Sequence, residues 1–451
     1  MNKLSGIKFH FIGVGGIGMS GLAELLHNLG AVVSGSDLKA NNQTQHLESV
    51  GVKVFLGHHA KNVGEIDVVV YSSAVKKDNV EYVAARERKI PVIPRAEALA
   101  EIMHLKRGIA IAGTHGKTTT TSLCASVFLE AGLDPTIAVG GRLDIIKSTA
   151  KLGTGEWLVA EADESDGSFH RLSPEIAVIT NIDNDHMDHY QDFSRLQQAF
   201  WEFALKIPFY GTAIVCGDDP LTKDLFLDFP KKILFYGFDK SNDYLLFRVK
   251  EKYQVTHQGE LFCEFSLPMP GDHNALNATA ALLAGHVAGI DFKVACQGIQ
   301  KFRGVDRRFQ LKGLFKGDVP IYDDYGHHPT EIKAVLKAFK ERYPDSRLNV
   351  LFQPHRFSRL QICWQEFLEA FDLADQLYVL PVYAAGEKSI PGVDSETFCR
   401  ELKVSNIQYV SGFDELFKIL LNNLQTGDVC VTLGAGDVWK LGEQLCQIKS
   451  H

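Results

Sequence analysis

The chain has 451 residues, too many for one ordinary domain, so about two to four domains are expected. Its 45% hydrophobic content is that of a globular protein, and a formal net charge of −8 argues against a broad nucleic-acid-binding or anionic-membrane surface. The eight cysteines stand singly with no CxxC pair, which speaks against a zinc knuckle or a dithiol redox motif. No run approaches the roughly 18 apolar residues of a membrane helix, and no clean apolar signal segment precedes Gly13. A cytoplasmic protein is expected, with no nucleic-acid and no membrane partner.

Strand-like apolar runs alternate with helical periodicity from end to end, the pattern of parallel sheets covered by helices. Three α/β blocks follow in order. The first has strands near Ile7–Ile12, Ala31–Ser34, Val52–Phe55, Val68–Tyr71 and Pro91–Ile93, with helices near Met19–Leu29 and Val80–Lys89. The second has strands near Gly108–Ala112, Trp157–Ala160, Ile176–Thr180 and Thr212–Val215. Short alternating runs between Lys231 and Leu267 predict a small antiparallel insertion, and a helix follows near Ala275–Ala288. The third block starts near Val305–Gly313, with strands near Val319–Tyr322, Leu348–Phe352, Gln376–Leu380, Ile407–Val410 and Val429–Thr432.

Two glycine loops stand out. Gly13-Val14-Gly15-Gly16-Ile17-Gly18 follows a strand and opens a helix, and Asp37 ends the next strand about 20 residues on. This is the dinucleotide fingerprint, in which glycines let the backbone approach a pyrophosphate at a helix N-terminus. It predicts a diphosphate ligand without specifying NAD, since a uridine diphosphate carries the same group; a plain tight turn is the bland alternative. His58, His59, Ser72 and Ser73 follow strands of the same block, as pocket residues or as ordinary loop polar groups.

The second loop is Gly113-Thr114-His115-Gly116-Lys117-Thr118-Thr119, between a strand and a helix with apolar Leu123, Val127 and Leu129. Backbone N–H groups cradle phosphates there, Lys117 meets their terminal oxygens and the Thr118 hydroxyl holds magnesium. The loop is shorter than GxxxxGK[ST], because position 111 is Ile. The strand Trp157–Ala160 runs into Glu161-Ala162-Asp163-Glu164-Ser165-Asp166, and Ile176–Thr180 into Asn181 through His189. Strand ends of a parallel sheet gather at one edge, so these acids and histidines fall near the phosphate loop. His186 and His189 have the spacing of a helical zinc pair but no third nitrogen or sulfur ligand; a magnesium or manganese site using Glu161 and His186 fits better. An NAD-dependent oxidoreductase leaves Gly116-Lys117-Thr118 unexplained, and a purely regulatory nucleotide-binding protein leaves the third block without a ligand.

Taken together these motifs resemble the Mur ligase family, with its GxHGKT[TS] loop, acidic strand end and DHMD-type histidine. The similarity extends to Gly271-Asp272-His273-Asn274-Ala275-Leu276-Asn277 and to Arg307-Arg308-Phe309, and so spans the whole chain. It implies a Rossmann-like N-terminal domain binding a UDP-sugar (1–106), a central P-loop ATPase-like domain (107–304) and a Rossmann-like C-terminal domain binding an amino acid (305–451). Asp323 through Glu331 and Gln353-Pro354-His355-Arg356-Phe357-Ser358-Arg359 resemble the branch that joins L-alanine to the lactyl carboxylate of UDP-N-acetylmuramate in peptidoglycan precursor synthesis, through an acyl phosphate. A tripeptide-recycling branch is the alternative. The carbamylated lysine of other branches is not evident, the first lysine after His186 being Lys206, expected well inside the next helix.

The resemblance implies roles residue by residue. ATP falls to Gly113, Thr114, His115, Gly116, Lys117, Thr118, Thr119, His273, Asn277, Arg308 and Asp323. The UDP-sugar falls to Gly15, Gly16, Ile17, Gly18, Ser20, Ser36, Asp37, His58, Ser72 and Ser73, and the amino acid to Tyr325, His327, His355, Arg356 and Arg359. Thr118, Glu161 and His186 would hold Mg2+, with Mn2+ able to substitute; Lys117, Glu161, His186, His327, Arg356 and Arg359 would be catalytic. A monomer or weak homodimer is expected.

Overall fold

The computed structural model describes residues 3–448 except Ser73, Asp144 and Lys147. The first sheet contains β1 (Lys8–Ile12), β2 (Val32–Asp37), β3 (Lys53–Leu56), β4 (Val68–Tyr71) and β5 (Val92–Pro94), in the order β3-β2-β1-β4-β5. All neighbours are parallel. Strand order reverses at β1, so the loop after β1 lies at the switch point where such sheets take ligands. The helices are α1 (Ile17–Asn28), α2 (Asn42–Ser49), α3 (Val80–Glu87) and α4 (Arg95–Met103). The sequence reading missed α2, whose polar Asn42–Ser49 stretch shows little apolar stripe; a capping box between Asn41 and Thr44 starts it.

The central sheet is larger than expected. It has β6 (Arg107–Ala112), β7 (Thr136–Leu143), β8 (Ser148–Lys151), β9 (Trp157–Glu161), β10 (Ile176–Ile179), β11 (Thr212–Cys216), β12 (Lys232–Gly237), β13 (Tyr244–Val249), β14 (Lys252–His257) and β15 (Glu260–Phe265). Their order is β15-β14-β13-β12-β11-β10-β6-β9-β7-β8. The expected antiparallel insertion is corrected: β12 pairs in parallel with β11 and β13, and the antiparallel β13, β14 and β15 simply extend the sheet. Alternating hydrophobicity reports one covered face and says nothing about which edge a strand joins. The β7–β8 hairpin was unforeseen: Gly140 and Gly141 interrupt the apolar run of β7. Gly21 lets α1 lie against β8, since a Cβ there would sit 2.8 Å from Thr149 Oγ1.

Helices α5 (Lys117–Glu130), α6 (Met187–Tyr190), α7 (Phe193–Ala204), α8 (Pro220–Phe226), α9 (Asp272–Val287) and α10 (Phe292–Lys301) accompany these strands. Lys206 lies just past the end of α7, which is capped at Leu205, and not within the helix as expected. One apolar core runs from Phe11 and Leu26 beside the first sheet to Ala110 and Phe200 beside the second.

The third sheet contains β16 (Gln310–Phe315), β17 (Val319–Asp324), β18 (Leu348–Phe352), β19 (Gln376–Val379), β20 (Ile407–Tyr409) and β21 (Val429–Leu433), in the order β16-β17-β21-β18-β19-β20. Only β16 is antiparallel to its neighbour. Separate cores cover its faces, one around Phe339 and Phe352 and the other around Leu351, Tyr378 and Leu441. Helices α11 (Pro329–Arg342) and α12 (Phe357–Ile362) leave the ends of β17 and β18. The chain divides into two compact units: Met1–Pro268 with Ala275–Arg303, and Met269–Asn274 with Gly304–His451. Among the described residues no helix is long and apolar enough to cross a membrane.

Candidate functional site

The loop after β6 is held in one shape by its glycines and by the end of β10. Gly113 has φ +138° and a Cβ there would fall on Thr180 Oγ1; Gly116 has φ +82° and a Cβ would lie 2.6 Å from Asn277 Oδ1. Only glycine meets both demands. The loop is pinned from β10's end, where Asn181 accepts from Thr114 N through its carbonyl (3.1 Å) and from His115 N through its side chain (2.9 Å). Thr180 Oγ1 donates to His115 O at 2.6 Å. Thr119, in the first turn of α5, is buried.

Acids converge on this loop from β9. Lys117 Nζ donates to Glu164 Oε1 at 2.8 Å, Gly113 O at 2.6 Å and Thr114 O at 3.1 Å. Burial works against the Lys117 ammonium, but Glu164, Asp163 and Glu161 outweigh it and hold its pKa above that of an ordinary lysine. Thr118 Oγ1 donates to Glu161 Oε2 at 3.0 Å, and Gly140 N donates to the same oxygen at 2.9 Å. A hydroxyl and a carboxylate in contact are hard oxygen donors of the kind magnesium prefers. His186 sits before α6 with φ +61°, its Nε2 3.4 Å from Glu164 Oε1. His189 lies beside Gly167, where a Cβ would come within 3.0 Å of its Nε2.

The first glycine loop is also held in shape, with fewer charges. Gly15 N donates to Asp37 Oδ2 at 2.8 Å, so Asp37 closes the loop. Ile17 is exposed at the start of α1, while Ser20 is buried and bonds back to Ile17 O. Ser36 is fully buried and bonds to Glu81 and to His58 Nδ1. Glu81, unforeseen, also binds His10, Asn62 and the backbone N–H of His59. Burial opposes its charge, yet these donors bring its pKa down to about 2. Ser72 lines the pocket, and Ser73 lies outside the described residues.

A cavity of about 290 Å³ reaches from the first glycine loop to the acidic end of β9 within this unit. Gly16, Ile17 and Gly18 line one end, Gly140, Glu161 and Asp163 the other, with Arg95 between them. Arg95 Nη2 lies 3.4 Å from Asp163 Oδ2, and a Cβ at Gly18 would come within 3.0 Å of Arg95 Nη1.

In the second unit, side chains gather beyond β17 and β18. Arg307 Nε donates to Asp323 Oδ2 at 2.9 Å, and Thr432 takes the other carboxylate oxygen at 2.6 Å. Asp323 is fully buried, its carboxylate shared between Arg307 and Thr432. Arg308 pairs with Glu331 at 3.3 Å and stacks over Tyr325. His273, at the start of α9, is held at a pKa of about 4, chiefly by burial.

His327 faces His355, ring centroids 5.9 Å apart, and His355 stacks on Tyr383. Burial, then Arg359 and Arg356, push His355 down to about 4, so its neutral ring accepts from Arg359 Nη1 at 3.3 Å. Arg356 adopts φ +68° ahead of α12, and Glu387 holds Ser358 by N–H (3.1 Å) and hydroxyl (2.6 Å).

Three family models match in succession: the Mur ligase family, catalytic domain over residues 8–107, the Mur ligase middle domain over 111–285, and the Mur ligase, glutamate ligase domain over 307–436. The chain is 60% identical over 446 residues to the UDP-N-acetylmuramate--L-alanine ligase of Bdellovibrio bacteriovorus, covering 98% of each. The chain belongs to the Mur ligase family. It is an ATP-dependent ligase. The relative of the same name from Desulfatibacillum aliphaticivorans is 47% identical, over 98% of this chain and 99% of its own. The solved UDP-N-acetylmuramate-alanine ligase of Thermotoga maritima superposes with a TM-score of 0.83 at 30% identity, covering 98% of both chains. A murein peptide ligase from Psychrobacter arcticus shares the fold, with a TM-score of 0.74 at 24% identity and 98% coverage of both.

Sequence reasoning about this Mur ligase passed over Arg95, Gly140, Tyr383 and Glu387, and gave Glu164 no role of its own. Glu164 was visible within the acidic run, whereas Arg95 begins a helix after Pro94 with no local signal.

Proposed function

We propose that this chain uses ATP and Mg2+ to join L-alanine to the lactyl carboxylate of UDP-N-acetylmuramate, in peptidoglycan precursor synthesis. The observation that carries the reading is the cavity running from the first glycine loop to Glu161. A sugar nucleotide with its diphosphate on the N-terminus of α1 would direct its carboxylate toward Lys117 and Thr118. The names of the relatives agree with this substrate pair. On this reading 1–106 hold the sugar nucleotide, 107–304 ATP and 305–451 the amino acid.

A carboxylate acylates poorly because oxide is a poor leaving group. Transfer of the γ-phosphoryl group to a carboxylate oxygen breaks the bond to ADP and makes an acyl phosphate. The neutral amine of L-alanine attacks the acyl carbon, loses a proton as the C–N bond forms, and phosphate departs. Lys117 holds the terminal phosphates, while Gly113, Thr114, His115 and Gly116 wrap them and Asn277 backs the loop. Thr118, Glu161 and His186 would hold the magnesium, which neutralises phosphate charge. Arg356 and Arg359 clamp the alanine carboxylate through paired N–H donors, and His327 borders the amine.

The test is phosphate release from ATP and Mg2+ with each other substrate omitted in turn. Release requiring both UDP-N-acetylmuramate and L-alanine is expected. Release supported by a tripeptide and not by alanine would transfer the chain to the recycling branch.

A further inference from the structure

We propose that Glu164 is a positioning residue that parks the Lys117 ammonium while the phosphate loop is empty, and releases it to ATP only when a divalent cation balances the carboxylate left behind. The inference rests on the reading of the second glycine loop as an ATP site and adds a device that couples nucleotide to metal.

An ammonium has three N–H donors. All three on Lys117 are used: two by the loop carbonyls of Gly113 and Thr114 and one by Glu164 Oε1. A phosphate oxygen can be bound only by displacing one of these acceptors. The carbonyls belong to a loop pinned by Thr180 and Asn181, so the carboxylate is the partner to be exchanged.

Glu164 is itself held in place. Its carbonyl accepts from Tyr190 Oη at 2.5 Å and from Gly167 N at 2.9 Å, and its side chain is fully buried. Its second carboxylate oxygen, Oε2, is buried with no hydrogen-bond partner. Lys117 is therefore its main compensation, with His186 Nε2 at 3.4 Å on the same oxygen. Withdrawing Lys117 toward a phosphate strands a buried carboxylate, and breaking one side of a buried pair is costly. Triphosphate oxygens arriving beside Glu161, Asp163 and Glu164 add repulsion. A divalent cation removes both penalties, and Glu164 thereby makes nucleotide affinity depend on metal beyond the metal's direct bonds to phosphate.

The experiment is equilibrium binding of ATP to the full chain, with Mg2+ and in its absence under chelation, for the natural sequence, Glu164→Gln and Glu164→Asp. In Glu164→Gln, metal-free ATP binds roughly tenfold tighter or more, and the ratio of metal-loaded to metal-free affinity shrinks by that factor. Glu164→Asp draws the charge back by one methylene and shifts the ratio the same way by less, which keeps the test open should the glutamine variant not fold. In a Lys117→Ala background, Glu164→Gln no longer moves the ratio. A purely structural role would weaken both affinities together and leave the ratio alone; an unchanged ratio in either folded variant overturns the proposal. If the natural chain binds no ATP even with Mg2+, the reading of the loop fails and the proposal falls with it; binding with an unaltered ratio sinks the proposal alone.

Discussion

The two glycine loops of the first unit begin alike and end differently. Each follows a parallel strand inside its sheet and opens a helix. Around the first, the polar side chains mostly serve the fold: Asp37 ties down Gly15, and Ser36 and His58 feed a buried Glu81. Around the second, charge is concentrated where a phosphate would sit, with Lys117, Glu161, Glu164 and His186 drawn from separate segments. A backbone cradle positions an anion; reacting it requires charges that no single loop can carry. The first loop should therefore govern binding of its ligand, and the second should govern turnover.

The largest expected effect is at Lys117. Lys117→Ala lowers kcat by roughly a hundred- to a thousandfold while leaving binding of UDP to the first loop intact. A variant with near-normal turnover would remove the distinction between the loops. Next, Arg356→Ala raises the KM for L-alanine by about ten- to a hundredfold with little change for ATP or sugar nucleotide, since one partner of a charged hydrogen-bonded pair is lost. Should the ATP dependence move instead, the alanine pocket is misplaced.

Arg95→Ala sharpens the comparison from the other side. It raises the KM for the sugar nucleotide about tenfold and leaves the ATP KM alone, because the guanidinium lies across Gly18 at the mouth of the first loop. Equal loss for both substrates would mean that Arg95 serves the packing of α4. Gly140→Ala is milder: a Cβ would sit 2.7 Å from Glu161 Oε2, displacing that carboxylate and raising the Mg2+ needed for half-maximal rate several-fold, about 1 kcal/mol of lost coordination. Magnesium titrations that superimpose would show that β7 does not position Glu161.

Glu81→Gln has the smallest effect on catalysis and a visible one on stability. The pKa of Glu81 falls to about 2 on folding, from an ordinary 4.5, so its contribution is present above pH 4.5 and lost as pH falls through that value toward 2. Melting temperatures measured across this range should drop steeply in the natural chain and less steeply in the variant. Parallel curves would count against a charged, structural Glu81 beneath the first loop.

Much of the fold could be read before any coordinates. The strands leading into both loops, the acidic run after β9 and the histidine run after β10 all fell where expected, because parallel buried strands are continuous apolar runs whose ends are marked by polar residues. Other segments gave no such signal. The α2 stretch lacks an apolar face, glycines interrupt the apolar run of β7, and the outer strands β13 to β15 alternate just as a separate antiparallel insertion would. That neighbours in space enclose Ser36 and Asp323 completely was not legible in the chain around either residue.

Local sequence determined the chemistry of each loop: glycines where φ must be positive, a lysine and a threonine at the start of a helix, acids at a strand end. These follow from backbone sterics and charge over a few residues. Tertiary structure alone decided the pairings: Glu164 with Lys117, Gly140 with Glu161, Arg95 across Gly18, and Glu81 beneath Ser36. Those partners lie 47, 21, 77 and 45 residues apart along the chain. Sheet order and helix packing bring them together, and residue spacing within one segment carries no record of either.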